Sequence, residues 1–182
     1  MVDKEMQTKK LSLVIALASL TILLVPLAFG DETCGVTICK RIVCDGPTTG
    51  LELFTYYQWL VRITVTNLNS YTVTDVRLAD RFGAEFGVDI LEYSGGTGGT
   101  PPELSTTGAS EKVHLKWFIG SLGAGESATI LLHVYTDINP AGMQEFTSCG
   151  TYYMNSGAVV KWLDFDGKQH SAETEPIVLT TF

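Results

Sequence analysis

The feature that most constrains how this chain can fold is the regular alternation of apolar and polar residues along several short segments. In Leu53–Asn67, alternate positions from 57 to 65 are apolar or aromatic, and the positions between them are mostly polar. Because successive side chains of a β-strand point to opposite faces, this period of two predicts a half-buried strand. Tyr71–Phe82 alternates in the same way, with Val76 and Leu78 predicted on the face opposite Val73.

Further segments of the same kind follow along the chain and are separated by turn signals. The predicted strands are Val113–Leu122, Ser127–Thr136, part of Cys149–Phe165, and Glu175–Phe182. Asn67–Ser70 is predicted to be a turn, and the dipeptide at 166–167, Asp-Gly, is typical of a tight β-hairpin. No segment after residue 30 has a convincing helical period. Several short strands with regular turns predict an all-β antiparallel sandwich.

The segment GSLGAGES, residues 120–127, is predicted to form a tight corner between two strands. Gly123 and Gly125 can adopt positive φ at low cost, and Glu126 can bond back to nearby backbone amides and hold the turn. Apolar residues on either side of the corner are predicted to face inward: Trp117, Ile119, Ile130, Leu132 and Val134. We interpret this corner as specifying the fold and not as a binding site.

Three pieces of the chain point together to a known family. They are ITVTN with TVTDVRLADRF, residues 63–67 and 72–82, then WFIGSLGAGESATILLHV, residues 117–134, and NSGAVV, residues 155–160. Together they resemble the conserved repeat domain of archaeal and bacterial surface proteins, also called domain of unknown function eleven, whose corner reads G-x-L-x-x-G-E-S. The resemblance implies an immunoglobulin-like sandwich of about seven to nine strands and a structural role at the cell surface. The cysteine-rich N-terminal strand and the tail beyond Trp162 depart from the family pattern.

Residues 1–30 have the composition of a secretory signal peptide. Two lysines precede the apolar run Leu11–Leu27, and small residues at its end fit a signal-peptidase site before Asp31. We therefore expect an extracellular or cell-surface protein. Two alternatives stay open: residues 11–28 remain as a membrane anchor with the domain outside, or the segment is a pilin-like leader.

The chain has four cysteines, and three of them fall within residues 31–48, before the predicted sandwich of residues 49–182. The candidates for disulfides are Cys34, Cys39, Cys44 and Cys149. In an oxidising compartment an even number of cysteines favours disulfides. We expect two bridges, one of which joins Cys149 to the N-terminal segment, and the pairing, within or between chains, stays open. The wide spacing of these cysteines argues against a four-cysteine metal site.

The N-terminal strand is also a candidate for exchange between subunits. Val36, Ile38 and Ile42 give it an apolar face suited to the edge of a sheet, although Lys40 and Arg41 interrupt that face. In donor-strand exchange such a segment completes the sheet of a neighbour, and head-to-tail repetition gives a filament. The layout resembles that of secreted archaeal fibre subunits with a donor strand after the signal peptide. The alternative is that this segment is simply the first strand of its own sandwich.

The segment Tyr93–Lys112 is rich in glycine, threonine and proline and carries few apolar residues. Such a composition buries too little surface to offset the entropy of ordering it. We therefore expect a long, flexible loop. The alternatives are a contact loop at the tip of the module or a site of sugar attachment on its threonines.

The sequence shows no constellation of acid, base and nucleophile, so we predict a protein that is not an enzyme and has no cofactor. Asp164, Asp166 and Glu173 fall at calcium-loop offsets, but Trp162 stands at the first ligand position, and we regard calcium as a weak candidate there. The formal net charge of −8, with no basic cluster, argues against nucleic acid as a partner.

These observations predict a non-enzymatic, secreted structural protein of the cell surface, which as a filament subunit would assemble by donor-strand exchange. Its expected partners are further copies of itself or other surface proteins, and it would meet a membrane only through residues 11–28. The alternative is a monomeric or membrane-anchored adhesion or binding module. A hydrolase or a calcium-dependent enzyme is the third and weakest possibility.

Overall fold

The computed structural model describes residues 35–50, 54–107, 112–136 and 150–181, and within them the side chains of 35–43, 58–106, 112–136 and 151–179. These residues form strands, turns and loops, and none of the described residues is helical. The strands are β1 Val36–Gly50, β2 Phe54–Asn67, β3 Val73–Arg81, β4 Phe86–Ser94, β5 Thr97–Gly98, β6 Glu103–Thr107, β7 Lys112–Leu122, β8 Ser127–Thr136, β9 Gly150–Tyr153, β10 Val159–Leu163, β11 Gln169–Glu173 and β12 Val178–Thr181.

The strands form an antiparallel β-sandwich, which confirms the predicted fold class. One sheet has the order β1-β2-β8-β4, and the second has the order β11-β10-β3-β7-β5 with β6 also paired to β7. A separate two-stranded ladder joins β12 to β9. The described residues contain twelve strands where about seven to nine were expected, because the sequence pattern missed short ladders such as β5 and β6.

The alternation along β2 places a row of apolar side chains in the core, as predicted. Val61, Ile63 and Val65 have no exposed surface, and Trp59 is buried with them. They pair across the sheet with the buried residues of β8, and Ile63 lies opposite Ile130. Each such side chain contributes about 1.5–3 kcal/mol when it is removed from water. The two inner faces therefore form one continuous core.

The alternation along β3 is interrupted by a bulge that the sequence pattern did not predict. Asp75 has a positive φ of 51°, and the register to β7 shifts between Val73 and Val76. Both valines are consequently fully buried, whereas a strict period of two had placed them on opposite faces. The prediction for Val73 was wrong because the extra residue in a bulge reverses the facing of everything before it. Val76 and Leu78 are buried on the inner face of β3.

A buried asparagine ties together the end of β2, the start of β3 and the corner between β7 and β8. The Asn67 side-chain amide donates to the carbonyls of Tyr71, Leu122 and Gly123, at 2.8, 3.0 and 2.9 Å. Its carbonyl oxygen accepts from both the backbone and the side-chain nitrogen of Asn69, at 3.0 and 2.9 Å. The predicted turn is thus held by a network of buried hydrogen bonds at the end of the core.

The predicted corner between β7 and β8 is confirmed in its main features. The Glu126 carboxylate accepts from the Gly123 amide at 2.7 Å, and Gly125 has a positive φ of 72°. Gly123 itself does not have a positive φ. The residues around the corner that were predicted to face inward are all buried: Trp117, Ile119, Ile130, Leu132 and Val134.

The segment predicted as a flexible loop, Tyr93–Lys112, contains two strands instead. Both β5 and β6 pair with β7, and the Thr100 amide donates to the Phe118 carbonyl at 2.9 Å. Glycines make this approach feasible, because a Cβ at Gly96 or Gly120 would collide with backbone atoms of the facing segment. The prediction was wrong because backbone pairing orders a segment that has few apolar side chains. Residues 108–111 lie outside the described residues.

Within the described ranges, the chain has no helix with the length and apolar character needed to cross a membrane. The predicted leader, residues 1–30, lies outside the described residues.

Candidate functional site

The first strand, β1, lies at the edge of the four-stranded sheet and pairs with β2 along its whole length. The antiparallel register runs from Val36 opposite Asn67 to Gly50 opposite Phe54. Val36 is buried, and Ile38 and Ile42 are partly buried against the core. The donor-strand candidates therefore occupy their own sheet in this structure, as the alternative interpretation of the segment predicted.

The outward face of β1 is polar and carries the one cysteine whose side chain the structure describes. Thr37, Cys39 and Arg41 are exposed, and Cys39 is a free thiol. Cys39 forms no bridge within this chain, and the two expected bridges, whose pairing within or between chains was left open, stay a prediction.

The side chains of the other three cysteines are not among those that the structure describes. Cys34 and Cys149 lie outside the described residues, and so does the side chain of Cys44. The backbone of Cys44 lies opposite Leu60, just past a bulge in β1.

The inward face of β1 carries a buried ion-pairing group that bridges the two sheets. The Lys40 Nζ lies 3.3 Å from the Asp80 Oδ2, and neither side chain has any exposed surface. Lys40 is on β1 in the four-stranded sheet, and Asp80 is on β3 in the six-stranded sheet. The second carboxylate oxygen, Oδ1, accepts the backbone amide of Arg81 at 2.8 Å.

Burial moves both members of this pair toward their neutral forms. Removal from water lowers the pKa of Lys40 and raises the pKa of Asp80. The opposite charge of each partner opposes these shifts but does not reverse them.

The pair was missed at the level of sequence, where Lys40 was noted only as an interruption of the apolar face. A signal was nevertheless present. Lys40 alternates in phase with Ile38 and Ile42, and Asp80 alternates in phase with Val76 and Leu78. Both charged residues thus stand at positions whose neighbours predict the core.

A second feature is an open groove on the outer face of the six-stranded sheet, across β10, β3 and β7. Its volume is about 580 Å³, and three cations converge on it: Arg77, Lys116 and Lys161. Lys161 pairs with Arg77, which pairs in turn with Phe118 on the next strand. The Arg77 guanidinium carbon lies 5.2 Å from the centre of the Phe118 ring. The groove is lined mostly by apolar atoms, its margin carries these three cations, and the Asp75 carboxylate pairs with Arg77 at 2.8 Å.

The structure does not bring the three weak calcium candidates together. The Asp164 carboxylate accepts the backbone amides of Asp166 and Lys168 at 3.0 and 2.9 Å, and its other oxygen lies 2.7 Å from His170 Nε2. These bonds close the hairpin between β10 and β11 that the Asp-Gly dipeptide predicted. Glu173 pairs with Val159 at the far end of that hairpin. No group of three potential metal ligands occurs among the described residues.

Comparison with known proteins gives few relatives in sequence. No family model matches the chain. An uncharacterized protein of Archaeoglobus fulgidus is 31% identical over 126 residues, which are 68% of this chain and 43% of that protein. The chain therefore spans less than half the length of this curated relative.

Several solved structures have a limited similarity to the chain. The RrgA Jo.In complex is 14% identical, with 80% of this chain and 79% of that chain covered and a TM-score of 0.48. BcpA, the major pilin subunit of Bacillus cereus, is 13% identical over 80% of this chain and 40% of its own, with a TM-score of 0.45. A CBM3 of Hungateiclostridium clariflavum is 13% identical over 74% and 94%, with a TM-score of 0.42.

Proposed function

We propose that this chain is a non-enzymatic structural protein of the cell surface that assembles with copies of itself through β1. The observation that supports this proposal is the position of β1, which among the described strands lies at the edge of its sheet. A strand at an edge can leave or join a sheet without disturbing strands on both of its sides. The apolar leader in residues 1–30 is consistent with export.

In the proposed assembly, β1 of one subunit occupies on the next subunit the place that it holds here on its own. Exchange of an identical element keeps all of its contacts, so Val36, Ile38 and Ile42 would meet the same core in the neighbour. The connection between β1 and β2, residues 51–53, would have to pass between the two subunits. When each subunit gives its strand to one neighbour and receives a strand from a different one, the repeat is head-to-tail and extends into an open filament.

The experiment that tests this proposal is a denaturing gel of the native protein, both unheated and heated, with and without reductant. A ladder of multimers that collapses on heating is expected for subunits held by strand pairing alone, and a ladder that survives both heat and reductant is expected where a covalent bond other than a disulfide joins the subunits. A ladder that collapses only when reductant is also present would assign the link to cysteines, with the exposed Cys39 as the first candidate. A single monomer band in every lane would contradict the proposed assembly.

The groove on the outer face of the six-stranded sheet supports a second candidate function, that of a binding module for an anionic ligand such as an acidic polysaccharide. Arg77, Lys116 and Lys161 lie on an outer face that the core does not use. We expect salt-sensitive retention on an acidic polysaccharide, with retention lost in the double variant Lys116→Gln, Lys161→Gln. The matched control is Lys168→Gln, at an exposed lysine of the β10–β11 hairpin. Equal retention of both variants would eliminate this function.

A further inference from the structure

The buried Lys40–Asp80 pair has the composition of a reaction site. A primary amine and a carboxyl group lie 3.3 Å apart in the core of the sandwich, and neither is exposed to solvent. We propose that Lys40 and Asp80 condense to an amide, so that an isopeptide bond joins β1 to β3. The inference does not rest on the proposed assembly. In either arrangement β1 places Lys40 beside an Asp80, which belongs to the same chain if β1 pairs within it and to the neighbouring subunit if β1 is exchanged.

The two carboxyl oxygens of Asp80 have different hydrogen-bond donors, and this difference suits the reaction. Oδ1 accepts the Arg81 amide, which can stabilise negative charge that develops on that oxygen when the amine attacks Cγ. Oδ2 faces the Lys40 Nζ and is positioned to leave. The Nζ–Cγ bond forms, a proton passes from nitrogen to Oδ2, and the Cγ–Oδ2 bond breaks with the loss of one water molecule. No oxidant, reductant or further reactant is needed.

The surroundings favour condensation for two physical reasons. Attack requires a neutral amine and a neutral acid, and burial moves the pKa of each group toward that form. Holding two reacting groups together can also correspond to an effective concentration of about 10⁵–10⁸ M.

The bond would connect the two layers of the sandwich across their interface. β1 is the edge strand of the four-stranded sheet, and β3 lies inside the six-stranded sheet. A strand pulled from an edge is normally resisted only by its hydrogen bonds and packing. A covalent link at Lys40 would transfer such a load directly to β3.

The test is peptide mapping of the folded full-length protein by mass spectrometry after denaturation, reduction and alkylation. Trypsin cleaves after Arg77 and Arg81 and so releases Leu78–Arg81, the peptide that contains Asp80. We expect this peptide joined to one that ends at Arg41, with a mass one water below the sum of the two, and no cleavage after Lys40. Cleavage after Lys40 together with a free Leu78–Arg81 peptide would overturn the proposal.

Variants add a readout that a purely structural pair would not change. Lys40→Arg keeps a cation beside Asp80 but removes the primary amine, so it should give no linked peptide. Asp80→Asn should give the same linked peptide as the natural chain, because ammonia then leaves in place of water. Lys161→Arg, at an exposed lysine of β10, is the matched control and should retain the link. Should a variant fail to fold, the digest of the natural chain still decides the question.

Discussion

Replacing both members of the buried pair by apolar residues should separate a covalent link from an ordinary ion pair by the sign of the stability change. The variant is Lys40→Met with Asp80→Leu, which keeps roughly the same volume and leaves no unpaired buried charge. Exchanging a buried ion pair for apolar residues is often neutral or stabilising by about 1–4 kcal/mol. An ion pair alone therefore predicts a variant at least as stable as the natural chain.

An isopeptide bond predicts the opposite result. The two residues are 40 positions apart, and a cross-link closing a loop of that size restricts the unfolded chain. The chain-entropy estimate for this restriction is about 4 kcal/mol, between the values for loops of roughly 15 and 100 residues. The double variant should lose that contribution, and the apolar replacement can recover only part of it.

The assay is equilibrium unfolding in urea, followed by tryptophan fluorescence, with the natural chain and the double variant side by side. With a urea dependence of about 2 kcal/mol per molar, each net loss of about 2 kcal/mol lowers the midpoint by about 1 M. A midpoint that is equal to or above that of the natural chain would refute the covalent reasoning. The single variant Lys40→Met serves as the reference, because leaving Asp80 buried without its partner should destabilise the fold by about 3–5 kcal/mol even where no bond had formed.

Four further predictions address other parts of the molecule. Asn67→Ala should lower the free energy of unfolding by at least about 3 kcal/mol in a denaturant titration, because three carbonyls lose their donor. Gly120→Ala should lower the melting temperature and weaken the β5–β7 pairing, seen as faster amide exchange at Thr97, since Gly120 has a φ of +87°. Hydrogen bonding to His170 lowers the pKa of Asp164. This carboxylate therefore stabilises the fold above its unfolded pKa, and the stabilisation is lost as the pH falls through its folded pKa. The difference in melting temperature between the natural chain and Asp164→Asn should therefore close below about pH 4. Cys39 should react with a maleimide in the folded monomer, and a lack of labelling would contradict its exposure.

Much of the sandwich could be predicted from sequence because a period of two is a direct consequence of strand geometry. The buried row Val61, Ile63 and Val65 and the β7–β8 corner follow from alternation and turn chemistry alone. These are local properties, in which each residue's neighbours in the chain contain the information. Where one face is buried throughout, the pattern is unambiguous.

The parts that could not be predicted depend on contacts between distant segments. The bulge at Asp75 is set by pairing with β7, and alternation cannot locate an extra residue. The strands β5 and β6 are held by backbone hydrogen bonds to β7, which side-chain composition does not report. The Lys40–Asp80 pair needs two sheets to be stacked in register before its members meet. In the sequence, each of these two charged residues by itself indicates only an interruption of an apolar face.

The most direct test of the proposed assembly is a disulfide between two different chains at the β1–β2 pairing. Thr37 lies directly opposite Thr66, and opposed residues of antiparallel strands have Cα atoms about 4.5–5.5 Å apart, which a disulfide can span. A chain with Thr37→Cys is co-produced with a differently tagged chain that carries Thr66→Cys, and peptide mapping is used to look for the bond between positions 37 and 66. Exchange of β1 predicts this bond between the two chains. The proposed filament would be contradicted if this bond is absent between the two chains but forms inside a single chain that carries both substitutions. That result would show that β1 pairs with β2 of its own chain.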